Sequence, residues 1–365
     1  MDLASGRGTA ASAFTLQTDL LGPLLVPAGA DRAAALEQLA ARAAVYATRA
    51  RGDGTRRAYR AAWGAFSAWC RELGREPLAA DPDTIAMYVV SRADAGLAVS
   101  SLRVHLAAIR TAHLLAGVPL DLRHPRLAMV LEGIVRSKGG RPRRRAAPAL
   151  PDALRKMLAA RPRAEMAIGA RDRAMLLLGF GAALRRSELA ALRLGDVETV
   201  PGRGVRVLVR RSKTDQQGRG QDIAVCANPA DPAFCPMAAL DAWLAHRRGA
   251  RDLTGGGSDA ERPLFCAVSK GGRLSGTGLS DKAVVRLIKQ AAGDAGLDPT
   301  GFSGHSLRAG LATAAGDAGA ALADLMRQTR HRSTAVALGY LRPAELWRNN
   351  VTARVFAATE AAEEA

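Results

Sequence analysis

Six side chains in the second half of the sequence are of types that could together act on a phosphodiester. They are two arginines, two histidines, a lysine and a tyrosine: Arg185, Lys213, His305, Arg308, His331 and Tyr340. A phosphate gains negative charge on its non-bridging oxygens in the transition state, and two planar guanidiniums can clamp those oxygens without a metal ion. The tyrosine supplies the nucleophile. A histidine can take or share the phenol proton, whose free pKa is about 10, and the lysine can protonate the departing 5′ oxygen.

The first two of these residues also have ordinary structural interpretations. In GAALRRSELAALRLGDV, Arg185 stands at the start of a short helix whose Leu189 and Leu192 face inward. Its ordinary interpretation is a surface ion pair with Glu188, worth about a few tenths of a kcal/mol. Lys213 stands near the tip of a predicted hairpin, where exposed lysines are common. Neither residue indicates catalysis by itself.

The remaining residues lie in two short stretches near the C-terminus. In GFSGHSLRAGLATAA, His305 and Arg308 share a helical face and could serve for capping or contact with solvent. In TRHRSTAVALGYLRP, Ser333 is a plausible N-cap and Pro343 is predicted to end the helix that carries Tyr340. The ordinary interpretation of Tyr340 is a core side chain with its hydroxyl bonded to a backbone carbonyl.

The elements that must position these side chains are predicted to be mainly helical. In TRRAYRAAWGAFSAWCREL, apolar residues at 59, 63, 66, 69, 70 and 73 follow the helical period. The other predicted helices of the first third run from about Asp31 to Tyr46, Asp83 to Asp94, Ser100 to Ala116 and Pro125 to Arg136. In the helix from Ser100, the residues predicted to face inward are Leu102, Leu106, Ile109 and Leu114. The first third is therefore predicted to be an all-helical bundle.

The rest of the chain is predicted to be mostly helical with one β-hairpin. Val205, Val207 and Val209 alternate with Arg206, Leu208 and Arg210, which predicts a strand that turns through 214–220 into a second strand ending at Val225. The Gly-rich stretch LTGGGSDA is predicted to be a surface loop, because it lacks the spacing of a phosphate-binding loop. The fold class is thus mainly α with a small β-hairpin or sheet.

A short basic segment, SKGGRPRRRAAPALP, separates the two regions. Its glycines and prolines disfavour helix and sheet, so it is predicted to be an extended linker. Its basic residues are Lys138, Arg141, Arg143, Arg144 and Arg145. We expect these side chains to lie against the phosphates of a polyanion, the alternative being a solvated hinge without contacts.

The overall charge favours a polyanionic partner. The chain has 52 Lys and Arg against 34 Asp and Glu, a formal net charge of +18. No apolar run approaches the roughly 20 residues of a membrane span, and the N-terminus lacks a signal-peptide pattern, so we expect the bacterial cytoplasm, in association with the nucleoid. The four cysteines, Cys70, Cys226, Cys235 and Cys266, show no metal-ligand spacing and are predicted to be free and mostly buried.

In their order along the chain, the six candidate residues resemble the motif of the tyrosine recombinase (phage integrase) family. That motif is Arg, Lys, His-x-x-Arg, His or Trp, and Tyr, and the nine-residue interval from His331 to Tyr340 is also that of the family. The resemblance covers about residues 30 to 356. The stretches FSAWCREL and GLAVSSLRVHLAAIR resemble the core-binding domain of Cre-type recombinases. A lone His-x-x-Arg motif would be weak evidence for the family, whereas six residues that match in the right order are a specific signature.

The resemblance implies a domain organisation and a reaction. The expected parts are an N-terminal arm (1–30), a helical core-binding domain (31–136), the basic linker (137–150), a catalytic domain (151–342) and a C-terminal exchange helix (343–365). Two domains would form a C-shaped clamp around duplex DNA, and Tyr340 would form a 3′-phosphotyrosyl intermediate without metal, ATP or another cofactor. Four protomers would exchange strands through a Holliday junction between short inverted-repeat sites. Trp347, Val351 and Val355 would pack against a neighbouring protomer, or else in cis.

Two departures from the family pattern bear on rate and regulation. Family members usually place Gly before the second histidine, where this chain has Arg330, and a larger residue before the tyrosine, where it has Gly339. Gly339 costs the helix roughly 1 kcal/mol relative to Ala, which would make the helix more mobile. Two alternatives to recombination are a type IB topoisomerase and a DNA-binding regulator that no longer cuts.

Overall fold

The computed structural model of the chain describes residues 39, 42, 52–139, 146–210, 219–249, 258–345, 350–352 and 355–356. The chain divides into two compact units, residues 1–143 and 144–365. The predicted helix between residues 31 and 46, apart from positions 39 and 42, lies outside the described residues. The hairpin turn from 214 to 218 and most of the stretch LTGGGSDA lie outside them as well.

The first unit is a bundle of helices. The helices are α1 (Asp53–Glu72), α2 (Pro82–Asp94), α3 (Val99–Leu115) and α4 (Pro125–Lys138), with a short 3-10 helix at Pro77–Ala79. The start of α2 follows from its sequence, because the Asp81 side chain accepts a hydrogen bond from the backbone N–H of Thr84 at 2.7 Å and Pro82 supplies the first helical residue. The bundle packs around the buried aromatic rings of Trp63, Phe66 and Tyr88.

Two apolar residues that were predicted to face this core are exposed. Leu73 is 54% exposed because α1 ends at Glu72, so Leu73 caps the helix instead of continuing its apolar face. Leu114 is 74% exposed. On α3 the inner face of Leu102, Leu106 and Ile109 continues to His113, four residues after Ile109, and Leu114 is turned a further 100° or so away.

The second unit is mostly helical and contains two small antiparallel sheets. Its helices are α5 (Pro151–Ala159), α6 (Ala167–Gly181), α7 (Arg186–Ala191), α8 (Pro236–Gly249), α9 (Asp281–Asp294), α10 (Ser306–Asp317), α11 (Leu322–Thr329) and α12 (Thr334–Glu345). Short 3-10 helices lie at Leu194–Asp196, Pro232–Phe234, Asp259–Glu261 and Pro299–Gly301. The strands are β1 (Val197–Val200), β2 (Gly204–Val209), β3 (Gln221–Cys226), β4 (Cys266–Val268) and β5 (Leu274–Gly278). The predicted fold class, mainly helical with a small sheet, is confirmed.

The predicted hairpin is the larger part of a three-stranded sheet in the order β1-β2-β3. Val205, Val207 and Val209 are buried, as their alternation predicts, and pair with β3. The sequence did not indicate β1 or the pair β4 and β5. The segments of β4 and β5 have three and five residues, and LSGTG has low strand propensity, so their periodicity is too short to detect.

Helix α6 forms the centre of this unit. It is apolar and buried on every side from Ala174 to Gly179, and it packs mainly against α8 and α10. On α8, the fully buried Trp243 donates its indole N–H to the carbonyl of Leu264 at 2.8 Å. Because α10 packs on this rigid centre, its N-terminal end is held in a fixed position.

A close backbone contact fixes the same end of α10 from the other side. The segment 146–150 lies along it, with hydrogen bonds from Ala147 N to Gly301 O (2.8 Å) and from Ala149 N to Ser306 O (2.9 Å). A β-carbon on Gly310 would lie 2.0 Å from the carbonyl oxygen of Ala149 and 2.6 Å from its carbonyl carbon. Neither atom belongs to a flexible side chain, so only Gly fits at this point of α10.

We therefore expect Gly310→Ala to lower the free energy of unfolding by about 2 to 3 kcal/mol and to slow any reaction that depends on the N-terminus of α10. Urea unfolding measures the first effect. The matched control is Gly293→Ala in α9, where the nearest atom to the new methyl group lies 3.9 Å away. This control should leave stability unchanged or raise it by up to about 1 kcal/mol. Equal effects of the two substitutions would show that the contact is not tight.

The helix that carries Tyr340 runs past the proline that was predicted to end it. Helix α12 continues to Glu345, two residues beyond Pro343. A proline keeps a helical φ but has no N–H, so the carbonyl of Gly339, four residues earlier, loses its usual partner.

Within the part of the chain that the structure describes, no helix is long and apolar enough to cross a membrane.

Candidate active site

Tyr340 lies on α12 between two histidines. Its hydroxyl is 2.9 Å from Nε2 of His305, the residue directly before α10. The ring of His331 stacks on the tyrosine ring, with centroids 5.6 Å apart and planes inclined by 16°. The predicted alternative was a bond from this hydroxyl to a backbone carbonyl. The observed histidine is instead a group that can accept the phenol proton.

Arg308 is fully buried, two residues into α10, and offers unused donors. Its Nη1 donates to the carbonyl of Ala183 at 2.8 Å, while its Nε and Nη2 are buried without a hydrogen-bond partner. Burial lowers the pKa of Arg308 to about 10, and the like charges of Arg185 and Arg330 contribute to the decrease. A buried guanidinium with two unsatisfied donors is unfavourable unless an anion binds there. The arrangement therefore fits a phosphate.

Arg185 is held by a buried carboxylate. Residue 185 is the N-cap of α7. The Glu188 carboxylate accepts a hydrogen bond from the backbone N–H of Arg185 at 2.9 Å and forms an ion pair with its guanidinium. The Glu188 side chain is only 2% exposed. The interpretation of this pair as a surface ion pair was wrong, because α7 packs its Leu189 side against the core. Burial raises the pKa of Glu188, but the charges of Arg330 and Arg185 and the backbone N–H outweigh it and lower that pKa.

Both histidines beside Tyr340 are neutral at pH 7. Loss of surrounding water lowers the pKa of His331 to about 4, assisted by the positive charges of Arg308 and Arg185. The same causes, desolvation first, lower the pKa of His305, although part of that residue faces solvent. A neutral imidazole nitrogen can accept a proton, so His305 can serve as the partner of the phenol over the physiological pH range.

The protonation of the His331 ring is set by a threonine. The buried hydroxyl of Thr329 donates to the carbonyl of Leu325 at 2.6 Å, so its oxygen can only accept from Nδ1 of His331, 2.8 Å away. Nδ1 then carries the hydrogen, and Nε2 of the neutral ring is left as an acceptor. Sequence inspection missed Thr329, because a threonine at the end of a helix has many ordinary uses.

We expect Thr329→Val to slow any reaction at Tyr340 by roughly tenfold at unchanged substrate affinity, because Val keeps the shape but leaves the orientation of His331 undefined. Thr329→Ser is the matched variant, since it retains the hydroxyl and should react at close to the wild-type rate. Rates at saturating substrate distinguish the two. Equal rates for Val and Ser would show that this hydrogen bond does not matter.

Of the other predicted site residues, only Lys138, Val351 and Val355 fall within the described residues. Lys213, Arg141, Arg143, Arg144, Arg145 and Trp347 lie outside the described residues. The ammonium group of Lys138 donates to the carbonyl of Ala93 within the first unit. Val351 and Val355 are 72% and 59% exposed. In the ranges that the structure describes, no three His, Cys, Asp or Glu side chains are grouped to hold a metal, and the four cysteines are free, with only Cys226 exposed.

Comparisons with known proteins find relatives over most of the chain. The model of the phage integrase family matches residues 150–345. The chain is 33% identical over 322 residues to an integrase/recombinase xerD homolog of Selenomonas ruminantium, covering 88% of this chain and 90% of that protein. It is 24% identical over 293 residues to recombinase cre of Escherichia phage P1, covering 76% and 80%.

Solved structures show the same fold. The XerH site-specific recombinase, bound to palindromic difH substrate in a post-cleavage complex, gives a TM-score of 0.53 at 18% identity, covering 72% of this chain and 69% of that one. A lambda integrase(75–356) dimer bound to a COC′ core site gives a TM-score of 0.51 at 18% identity, covering 83% of this chain and 93% of that one.

Proposed function

Because the chain belongs to the phage integrase family of tyrosine recombinases, we propose that it cleaves and rejoins duplex DNA through a covalent bond to Tyr340. Membership confirms the resemblance found in the sequence, and similarity to the Cre recombinase is consistent with the Cre-type stretches. The observation that carries the proposal is the hydrogen-bond distance of 2.9 Å between the Tyr340 hydroxyl and Nε2 of His305. It puts a nucleophile and a proton acceptor together beside the unpartnered donors of Arg308.

Each residue of the cluster has a role in the proposed reaction. The Tyr340 oxygen attacks the scissile phosphorus, its proton passes to His305, and the bond from phosphorus to the 5′ oxygen breaks. The 3′ phosphate stays on the tyrosine, and the 5′ oxygen leaves with a proton that Lys213 supplies. Arg185 and Arg308 bind the non-bridging oxygens as their charge increases. The free 5′-hydroxyl later attacks the phosphotyrosyl bond and restores the DNA, so no ATP or metal is consumed.

The partner is proposed to be duplex DNA with short inverted repeats. The net charge of +18 suits a polyanion, and the XerH relative was solved on a palindromic site. We extend the proposal to four protomers that exchange strands through a Holliday junction. The exposed Val351 and Val355 support this extension, because apolar side chains at the end of the chain suit burial by a neighbouring protomer. The basic linker is proposed to lie along phosphates.

A nicked duplex tests this proposal. Duplexes that the protein retains from a random pool define the site, and a nick placed just 3′ of each candidate phosphate lets the cleaved piece diffuse away. On a denaturing gel in EDTA, DNA labelled at the 5′ end of the cleaved strand should migrate with the protein, and 3′ label should leave as a short piece with a 5′-hydroxyl. Retention of the 3′ label would contradict the proposed polarity.

Plasmid relaxation and the nicked-duplex assay together separate the alternatives. A type IB topoisomerase would relax supercoiled plasmids that lack the selected sequence, whereas the proposed recombinase requires two copies of its site. A regulator that only binds DNA would retain the selected duplex and form no adduct at any nick position. The salt dependence of binding would be steep in every case and does not distinguish them.

A further inference from the structure

Arg330, directly before His331, has an unusual conformation for an arginine. Its backbone is left-handed, with φ 57° and ψ 39°, and it ends α11. A β-carbon makes this conformation unfavourable, which is why helices commonly end with glycine at such a position. The residue is nevertheless buried, with its side chain 3% exposed. Contacts of the side chain must therefore compensate for the backbone.

The guanidinium of Arg330 makes three hydrogen bonds to a different part of the unit. Nη1 donates to the carbonyl of Ala182 at 2.9 Å, and Nη2 donates to the carbonyl of Ala183 at 3.1 Å and to the Glu188 carboxylate at 2.8 Å. Ala183, with φ 47°, also has a left-handed backbone. Arg330 thus connects the segment of His331 to the turn that leads from α6 into α7.

Two of these acceptors also hold the arginines proposed to bind the phosphate. The carbonyl of Ala183 accepts a bond from Arg308 at 2.8 Å as well as from Arg330. The carboxylate of Glu188 pairs with Arg185 as well as with Arg330. Arg330 therefore shares one acceptor with each of the two arginines, and its planar fork fixes both acceptors at once.

The charge of Arg330 matters for the same reason. Glu188 is a buried carboxylate, so its negative charge must be balanced by adjacent cations. If Arg330 were absent, the charge of Glu188 would be balanced by Arg185 and Arg308, which would then have less positive charge to offer a phosphate. The turn at Ala182 and Ala183 would also lose two hydrogen bonds that hold its strained conformation.

We propose that Arg330 is a positioning residue for strand cleavage, which holds Glu188 and the Ala183 carbonyl so that Arg185 and Arg308 face the scissile phosphate. This inference rests on the proposed function. It assigns a role to a residue that stands where related recombinases usually have glycine, and it makes the positioning of the arginines in this chain dependent on a side chain of the His331 segment.

The test compares Arg330→Gly and Arg330→Lys with the wild type in the nicked-duplex assay. Gly relaxes the left-handed backbone but removes the guanidinium, so a role for Arg330 in folding alone predicts that rate, affinity and melting temperature decrease together. We expect Arg330→Gly to form adduct about 100-fold more slowly at saturating DNA, with unchanged affinity for the unnicked duplex. Arg330→Lys should recover part of the rate, since an ammonium can reach one of the acceptors but not all three.

Arg327→Met is the matched control, because Arg327 is an exposed arginine of α11 that pairs only at the surface with Asp324. It should cleave at the wild-type rate. Wild-type cleavage by Arg330→Gly would overturn the inference, as would a parallel loss of rate, affinity and melting temperature. If the wild type itself forms no adduct, the proposed function fails and the inference fails with it. This result is distinguishable from the other two, in which the wild type cleaves and only the behaviour of Arg330→Gly differs from the expected one.

Discussion

Tyr340→Phe should form no covalent adduct with DNA, a decrease of at least about 10⁴-fold, while binding the selected duplex with less than about a tenfold change in affinity. The substitution removes one oxygen from a residue that α12 holds beside His305 and His331. The phenylalanine ring can keep the stack on His331, so the fold of α12 should persist. The lack of adduct should therefore result from removal of the nucleophile and not from disruption of the site.

Tyr59→Phe in α1 is the matched control, because it removes the hydroxyl of another half-buried tyrosine. It should form adduct at the wild-type rate in the nicked-duplex assay. Adduct formation by Tyr340→Phe would mean that another side chain attacks the phosphate. Weak binding by Tyr340→Phe would mean that the substitution disturbs the fold, which circular dichroism would then show.

Arg308→Lys should lower the rate of adduct formation by about 10³-fold at saturating DNA. Arg308 is fully buried and has two unpartnered nitrogens in addition to the one bonded to Ala183. Lysine keeps the charge but replaces a planar fork by a single ammonium, which cannot bond the carbonyl and two phosphate oxygens in the same geometry. The effect tests whether the fork, rather than the charge, is what the reaction requires.

Arg327→Lys serves as the control for this substitution, because it makes the same chemical change at an exposed surface pair. It should change neither rate nor stability. If Arg308→Lys cleaved at the wild-type rate, a point charge would suffice and the clamp by two guanidiniums would be wrong. Measurement of the melting temperature of both variants separates a loss of chemistry from a loss of folding.

The fold and the main residues of the site could be predicted because each has a local signature. The helices of the first unit follow from apolar periodicity, and the hairpin follows from the alternation of Val205, Val207 and Val209. Residues Arg185, His305, Arg308, His331 and Tyr340 were found from their types and order. In the structure, His305 and His331 contact Tyr340, and the charge of Arg185 acts on Arg308 and on both histidines. Their catalytic roles remain proposals.

What could not be predicted depends on contacts between distant segments. The Arg185–Glu188 pair is buried because α7 packs its Leu189 side against the core and because Arg330, 142 residues beyond Glu188, bonds the same carboxylate. The unfavourable backbone of Arg330 is compensated by carbonyls of a turn that no local pattern marks. Leu114 was misplaced because the inner face of α3 continues to His113, which was not expected in the core, and Leu114 lies about 100° further round the helix. These features depend on contacts between residues that are distant in sequence, and such contacts cannot be read from the periodicity of apolar residues.

Identification of the amino acid joined to DNA tests the central claim most directly. Trypsin should cut the adduct after Arg332 and not before Pro343, which leaves a peptide of residues 333–348 whose one tyrosine is Tyr340. After nuclease trimming, mass spectrometry should find a nucleotide on this peptide, joined through its 3′ phosphate to Tyr340. A nucleotide on any other peptide, or one joined through a 5′ phosphate, would contradict the proposed reaction.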